Sequence, residues 1–334
     1  MGGALIRRLG FAIVVVAAVS LITFCILALA PGDPARLLAG PQASPADIER
    51  LRAALGLDQP LWRQYLAYVG RVLEGDLGTS VVTGRPVAVE IFSRAAATIE
   101  LMVCAMLVAI GAGGALGVWA ARNAGKWPDH VVRGLAVFGV SAPGFWIGML
   151  LILIFYRDLG LLPSGGRGGS FDPTGPTGLL IVDGLLSGNL GLVGDAARHL
   201  ALPVLALALG EAGGVARLVR AQLLGVLAKD YMRMARAGGL SEGAAIWTHG
   251  LRNVAIPLLP VFALSLAQVL SGSVVIETVF AWPGVGAYLV SSIFALDFPV
   301  ILGFALLASL AYVAANLAAD VGQAVLDPRL RDGV

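Results

Sequence analysis

Charged side chains are scarce in this chain of 334 residues: Asp, Glu, Lys and Arg make up 13% of it, whereas 58% is hydrophobic. An ordinary soluble domain is about 25% charged, so there is too little charge here to cover a water-facing surface. This composition excludes a soluble globular enzyme, and the high apolar content excludes a disordered chain. The formal net charge is only +2 and long basic runs are missing, which argues against nucleic acid as a partner.

Cysteine and histidine are also rare, with two and three residues respectively. Cys25 and Cys104 lie in apolar stretches without a second Cys or His at ligand spacing, so we expect neither a zinc site nor a disulfide framework. The histidines, His130, His199 and His249, have no Ser or acidic partner at a spacing suited to a catalytic triad. We therefore expect no catalytic residue, no metal and no cofactor on this chain.

The phosphate-binding loop of ATPases is missing as well. A Walker A loop needs the pattern Gly-x-x-x-x-Gly-Lys-Ser/Thr, and the one Gly-Lys pair of the sequence, Gly125-Lys126, is followed by Trp127. Any ATP-driven work must therefore be done by another polypeptide.

Long apolar runs are abundant. A helix needs about 20 apolar residues to cross the hydrocarbon core of a bilayer. Five stretches qualify without any charged residue: 9–30, 101–121, 134–156, 254–276 and 298–319. We read a sixth stretch, 200–216, as a span although it contains Glu211. The sequence thus predicts an all-α integral membrane protein with six transmembrane helices. Prolines 143, 203, 257 and 260 can bend these helices, and the apolar stretch 179–194 is predicted to be an external loop that packs on them.

The orientation follows from the Lys and Arg residues near the span ends, which concentrate on the cytoplasmic side of a membrane. This rule predicts that both termini and the loop 220–253 face the cytoplasm, and the opposite loop 277–297 contains no Lys or Arg. The predicted organisation is then an N-terminal transmembrane helix at 1–30, an external, periplasmic region at 31–94, a core with five transmembrane helices at 95–320 and a cytoplasmic tail at 321–334.

The external region begins with a turn at 31–34 and has two predicted helices. Ser44 is a typical N-cap, and the helix that it starts should end near Gly56. Apolar residues recur at helical spacing from Pro60 to a stop at Gly75. This region is either a packed lid over the helix ends or a docking surface for an extracytoplasmic partner.

The loop 220–253 carries Lys229, Arg233 and Arg236 at helical spacing, which predicts one basic helix face that ends at the glycine pair 238–239. A second short helix should start at Ser241, a typical N-cap. A solvated basic loop would satisfy the positive-inside rule by itself. The many Gly and Ala residues here instead indicate close contact with another backbone.

This loop resembles the EAA-type cytoplasmic loop of binding-protein-dependent ABC importer permeases, in the variant of the dipeptide, oligopeptide and nickel permease family. Arg233 stands where the general motif has Glu, as in the peptide and nickel branch, and Gly238 stands where a lysine is usual. The residues that match the motif, and that the resemblance implies in coupling to an ATPase, are Asp230, Tyr231, Ala235, Arg236, Ala237, Gly239, Leu240, Ser241, His249, Asn253 and Pro257.

Further stretches are similar to the same family. Those that resemble the external region of its B-type subunit are 31–34, 55–60, 64–65 and 75–80. Two later landmarks of the family are matched at 141–143 and 277–286. The resemblance therefore covers nearly the whole chain and implies a type I ABC importer transmembrane fold in a bacterial plasma (inner) membrane.

The resemblance implies a permease subunit, which is not an enzyme. Its expected partners are a second homologous permease, two cytoplasmic ATPases that bind ATP and Mg²⁺, and an extracytoplasmic substrate-binding protein. Di- and oligopeptides are the expected cargo, with nickel chelates, glutathione or another small solute as alternatives and a secondary transporter as a remote one. Glu211, the acid inside a span, is either a pathway residue that contacts the cargo or a structural hydrogen-bonding group.

Overall fold

A computed structural model of the chain describes residues 2–29, 34–40, 42–168 and 175–326. Within these ranges the chain is helical, and its β-structure is limited to an isolated bridge between Thr79 and Pro86. The first helices are α1 (Gly2–Leu29), α2 (Pro34–Ala39), α3 (Pro45–Ala54), α4 (Leu61–Leu73), α5 (Val87–Arg122), α6 (Trp127–Ser141) and α7 (Gly144–Leu151). They are followed by α8 (Leu180–Leu186), α9 (Leu190–Leu227), α10 (Asp230–Ala237), α11 (Glu242–Ala245), α12 (Leu251–Val279), α13 (Val285–Phe294) and α14 (Phe298–Leu326).

In the described part of the chain, four helices are long and apolar enough to cross a bilayer, or five if one bent pair is a single span. The four are Gly10–Leu29, Val87–Arg122, Leu190–Leu227 and Phe298–Ala318. The predicted span 254–276 lies in the continuous helix α12, where many side chains fall outside the described residues. The fold class is as predicted, and the count of six stays a prediction. The predicted turn at 31–34 and the end of the tail, 327–334, lie mainly or wholly outside the described residues.

The run 134–156 does not form one straight helix, as the sequence had suggested. α6 and the helical stretch Gly144–Asp158 differ in direction by 105°. Ala142 between them has an extended backbone, with a ψ angle of 131°. The reason is Pro143, because a proline disfavours the helical conformation of the residue before it and has no N–H to donate. α7 continues into a π-helical turn, Ile152–Asp158.

The stretch 179–194 is also more ordered than the predicted loop. Its first part forms α8, which packs against α9, and its last residues are already the first turn of α9. The side chain of Asn189 starts α9 by accepting a hydrogen bond from the backbone N–H of Leu192. An N-cap of this kind satisfies one of the free N–H groups at a helix start.

The chain divides into two compact units, and the first comprises Ala96–Gly284 and the residues from Ala315 onward. α9 lies at its centre, in contact with α6, α7, α8 and α12. The apolar core of this unit includes Leu101, Leu202 and Trp282, all of them buried. The Trp282 indole Nε1–H donates a hydrogen bond of 2.9 Å to the Ala97 carbonyl, so the polar atom of this large side chain is satisfied inside the core.

Small residues bring the helices of this first unit into close contact. A Cβ atom added to Gly113 would lie 2.6 Å from the Ala212 carbonyl oxygen, and one added to Gly117 would lie 2.7 Å from that of Ala216. Two glycines one helical turn apart on α5 thus face α9 directly. Membrane helices commonly associate through such small residues, since lipid provides no hydrophobic force that would hold them together.

The second unit comprises Gly2–Ala95 and Val285–Ala314. α1 packs against α4 through Phe24, Tyr65 and Tyr68, whose rings lie 5.4 to 6.2 Å apart. The carboxylate of Asp297 is fully buried and accepts a hydrogen bond of 2.5 Å from Ser80. These contacts order the connection between α4 and α5 although that connection has no strands or helices of its own.

α3 and α4 confirm the two helices predicted between residues 44 and 75. The Ser44 side chain accepts a hydrogen bond from the Asp47 backbone N–H, as expected of an N-cap. After the two helices, Gly56 and Gly75 have φ angles of +69° and +84°. Glycine adopts this left-handed conformation without the strain that a Cβ atom would cause.

Candidate functional site

The helix α10 begins a compact helical segment, 229–253, that contains most of the residues matched to the EAA-type motif. Lys229 is its N-cap, and Asp230 lies in its first turn. Met232 is fully buried, whereas Met234 is 75% exposed, so this short helix has one face on the protein and one face free. It ends at the predicted glycine pair, where Gly239 has a φ angle of +90°.

The second half of segment 229–253 is joined to α12 without a break. The Ser241 hydroxyl accepts a hydrogen bond from the Ala244 N–H, at 3.3 Å, which confirms the predicted start of α11. α11 then passes through a π-helical turn, Ile246–Gly250, directly into α12. The second half of the segment is therefore a rigid extension of α12, because continuous helical hydrogen bonding leaves no flexible hinge between them.

Segment 229–253 is anchored to the end of α9 by apolar and polar contacts. Ile246 is buried in a cluster with Leu223 and Val254. The Arg236 guanidinium donates hydrogen bonds to the carbonyls of Leu227 and Met232, at 2.9 and 3.2 Å. The Leu227 carbonyl lies at the end of α9, where acceptors lack helical partners. Arg236 is thus used in anchoring, and the predicted basic face consists mainly of Arg233, since Lys229 precedes the helix.

The free side of segment 229–253 carries several large apolar side chains among its polar ones. Tyr231 and Met234 of α10 are exposed, and Trp247 in the π-helical turn is 76% exposed. Of the matched motif residues, those exposed on the protein are Asp230, Tyr231, Arg236, Ala237, Gly239, Leu240, Ser241, His249 and Asn253. Ala235 is half-buried, and the side chain of Pro257 lies outside the described residues. The structure therefore presents most of the motif on one short segment.

A second candidate site is an open cavity of about 600 Å³ between α6, α7, α9 and α12. Glu211 and Arg217 of α9 both line it, together with Ser265 and Gln268 of α12. Ser265 lies close to the Glu211 carboxylate. Five glycines complete a large part of the wall: Gly139, Gly144, Gly210, Gly214 and Gly272. The sequence singled out Glu211, but it did not indicate that Arg217 shares a cavity with it.

The sequence analysis assigned no role to several buried acidic residues that hold distant parts of the chain together, among them Glu100, Asp129 and Glu277. The Glu100 carboxylate accepts hydrogen bonds from Arg167, at 2.6 and 3.1 Å, and from the backbone N–H of Ile181, at 2.8 Å. The Asp129 carboxylate binds Arg220, and that of Glu277 accepts a hydrogen bond of 2.7 Å from Thr98. Their sequence signal was their place at the edges of apolar runs, since Glu100 precedes one and Glu277 follows another.

These features define the class of the protein as an α-helical membrane protein with several span-length helices and an exposed, anchored helical segment beside them. A model of the family "Binding-protein-dependent transport system inner membrane component" matches residues 113–332. A model of the N-terminal part of such membrane components matches residues 1–102. The chain belongs to this family of transport-system membrane components and has its type I ABC importer membrane fold, which confirms the resemblance found in the sequence.

Curated relatives match along almost their whole length. The chain is 47% identical over 323 residues to a "Probable D,D-dipeptide transport system permease protein DdpB" of Escherichia coli K12, covering 96% of this chain and 95% of the relative. It is 39% identical to the E. coli K12 "Dipeptide transport system permease protein DppB", covering 98% of each. It is 42% identical to a "Glutathione transport system permease protein GsiC" of Salmonella choleraesuis, covering 94% of each.

Proposed function

We propose that this chain forms the translocation pathway of an ATP-driven importer of short peptides, together with a second, homologous permease subunit. The observation that carries the proposal is the match over nearly the full length to permeases named for dipeptides, D,D-dipeptides and glutathione. Glutathione is itself a modified tripeptide, so these cargoes share one chemical class. Nickel chelates and other small solutes are the alternative cargo.

Two cytoplasmic ATPases are the proposed partners of segment 229–253. Its exposed residues Tyr231, Met234 and Trp247 support this assignment, because Tyr, Met and Trp are enriched at protein–protein interfaces. ATP and Mg²⁺ would bind to these partners and not to this chain. An extracytoplasmic binding protein would deliver the cargo from the opposite side, where the region 31–94 is the proposed docking surface.

The proposed topology places both termini and segment 229–253 in the cytoplasm of a bacterium. It rests on the positive-inside rule and on the basic residues Lys229, Arg233 and Arg236 of the segment. The proposed organisation of the chain keeps an external region at 31–94 and a permease core at 95–320.

The proposed mechanism uses the connection between segment 229–253 and the helices on either side of it. When the ATPases close on ATP, they would move the segment, and α9 and α12 would move with it. The pathway would then change between an inward-facing and an outward-facing state, which is a shift of a two-state equilibrium by a partner's ligand.

Transport by the complete importer in proteoliposomes tests this function. The chain is reconstituted with its partner permease, its ATPases and its binding protein, and the uptake of radiolabelled Ala-Ala is measured with and without ATP. We expect uptake that requires both ATP and the binding protein. Uptake driven by an ion gradient without ATP would instead indicate a secondary transporter, and uptake of a nickel chelate but of no peptide would refute the proposed cargo.

A further inference from the structure

The cavity between α6, α7, α9 and α12 contains two opposite charges that do not neutralise each other. Glu211 and Arg217 both line it, yet they form no ion pair with each other or with another group among the described residues. Ser265 is the polar side chain of the cavity wall that lies near the Glu211 carboxylate. A carboxylate has about four acceptor positions and a guanidinium has five N–H donors, so both groups retain most of their capacity to bind a ligand.

We propose that Glu211 binds the ammonium group and Arg217 the carboxylate of a zwitterionic short peptide, an inference that rests on the proposed peptide cargo. The two residues are six positions apart on α9, which separates their Cα atoms by about 9 Å along the helix axis. An extended dipeptide spans about 7 Å and a tripeptide about 10 Å. The long Arg217 side chain has several rotatable bonds and can adjust its reach to either length.

The remaining wall of the cavity suits cargo whose side chains vary. Gly210, Gly214 and Gly272 place backbone without side chains around the two charges, and this leaves room for different peptide side chains. Recognition would then depend on the two termini, which every unmodified short peptide has. The proposed cargoes, dipeptides and glutathione, all carry a free ammonium group and a free carboxylate.

The low dielectric constant inside a helix bundle makes these two charges effective. A lone acidic or basic side chain within a span is costly, by about 2.5–3.5 kcal/mol on insertion scales. A zwitterion that contacts both groups compensates each of them with an opposite charge. Electrostatic attraction is also stronger here than in water, because the surrounding dielectric constant is lower.

Peptide binding in the cavity can be measured without the substrate-binding protein, because a bound peptide protects a cysteine in the cavity wall from maleimide. In the purified complex with its ATPases and second permease, Cys25 and Cys104 are replaced by Ala, and Val275→Cys provides a reporter, since Val275 lines the cavity and is exposed. The rate of maleimide labelling is measured against the concentration of Ala-Ala, N-acetyl-Ala-Ala or Ala-Ala-amide. The variants are Glu211→Gln and Arg217→Gln, with Asp158→Asn and Arg157→Gln as controls at exposed positions outside the cavity.

We expect both variants to weaken protection by Ala-Ala about tenfold, which is typical of a lost hydrogen bond to a charged group. Glu211→Gln should weaken protection by Ala-Ala-amide but leave the already weak effect of N-acetyl-Ala-Ala unchanged. Arg217→Gln should weaken protection by N-acetyl-Ala-Ala but leave the already weak effect of Ala-Ala-amide unchanged. The control variants should match the unaltered complex.

A purely structural role of the two residues would lower protection by all three peptides equally, and this result, or no change in any of them, would overturn the inference. The uptake assay separates it from the proposed function. If the unaltered complex imports Ala-Ala while the variants show no dependence on the blocking groups, only the inference fails. If the unaltered complex imports no peptide, the proposed cargo fails and the inference with it.

Discussion

Arg220 binds Asp129 in a two-point ion pair, in which Nε and Nη2 of the guanidinium lie 2.5 and 2.6 Å from the two carboxylate oxygens. The Asp129 carboxylate also accepts a hydrogen bond of 3.0 Å from the Gly125 backbone N–H. The pair connects the first turn of α6 to the last part of α9, shortly before segment 229–253 begins. It therefore stabilises the part of α9 from which that segment extends.

Loss of one partner of this pair should destabilise the protein clearly. Asp129→Ala leaves the Arg220 charge partly buried and unpaired, and breaking a buried ion pair in this way costs about 3–5 kcal/mol. Arg220 is 23% exposed, so we expect a cost near the lower limit, measured by unfolding of the detergent-solubilised protein. The double variant Asp129→Ala/Arg220→Ala should be less unstable than the sum of the single variants. If the destabilisation of the double variant equals the sum of the two single variants, the two side chains do not interact. Arg122→Ala, at an exposed position, is the control.

The contact between α5 and α9 should not tolerate a single added methyl group at Gly113. A Cβ atom there would lie 2.6 Å from the Ala212 carbonyl oxygen, whereas one at the neighbouring Gly114 would have no atom within 4 Å. Gly113→Ala should cost about 1–3 kcal/mol through overpacking. The matched control Gly114→Ala should be neutral or slightly stabilising, because Ala favours helices more than Gly does. Equal thermal unfolding midpoints for both variants would contradict the close approach of the two helices.

A bulky side chain at Ala237 should weaken ATPase binding and abolish transport without unfolding the protein. Ala237 is exposed at the end of α10, so this chain itself has room for Ala237→Trp. We expect the proposed ATPase interface to lack that room, so that overpacking it costs about 1–3 kcal/mol. We expect normal amounts in the membrane, reduced co-purification of the ATPases and little peptide uptake. Ala197→Trp, on an exposed position near the start of α9, is the control. Normal uptake by Ala237→Trp would refute the coupling role.

The orientation in the membrane can be tested by labelling single cysteines in intact cells. In a background without Cys25 and Cys104, we expect Val82→Cys to react with an impermeant maleimide added outside, since the region 31–94 is predicted to be external. Ser241→Cys should react only after the membrane is opened. Both positions are exposed on the protein, so a difference in labelling reports the side of the membrane. Reaction of Ser241→Cys from outside would reverse the proposed topology.

Local signals in the sequence predicted the water-facing helices well. The starts of α3 and α11 were confirmed because a Ser side chain that accepts a backbone hydrogen bond is an N-cap in almost any context. The ends at Gly56, Gly75 and Gly239 were confirmed for a similar reason, since all three have positive φ angles, which glycine adopts without strain. Such features depend on a few neighbouring residues and are therefore legible in a sequence.

Apolar run length predicted the class of the protein but not the course of each helix. The run 134–156 is continuous in hydropathy, yet the chain turns by 105° at Ala142 and Pro143. Pro203 also lies inside an apolar run, and α9 continues through it without a break. The same residue type thus has different outcomes, because neighbouring helices decide whether the freed backbone groups find other partners.

The sequence by itself determined that this is a helical membrane protein and which family it belongs to, because composition, run length and motif spacing are properties of the chain alone. Only the tertiary structure decided which charges meet. Glu100 binds Arg167 and Asp129 binds Arg220 across 67 and 91 residues, and no local pattern encodes such pairings. Glu211 and Arg217, which helical spacing places on different faces of α9, line one cavity. They do so because α6 and α12 leave that side of α9 open around both residues.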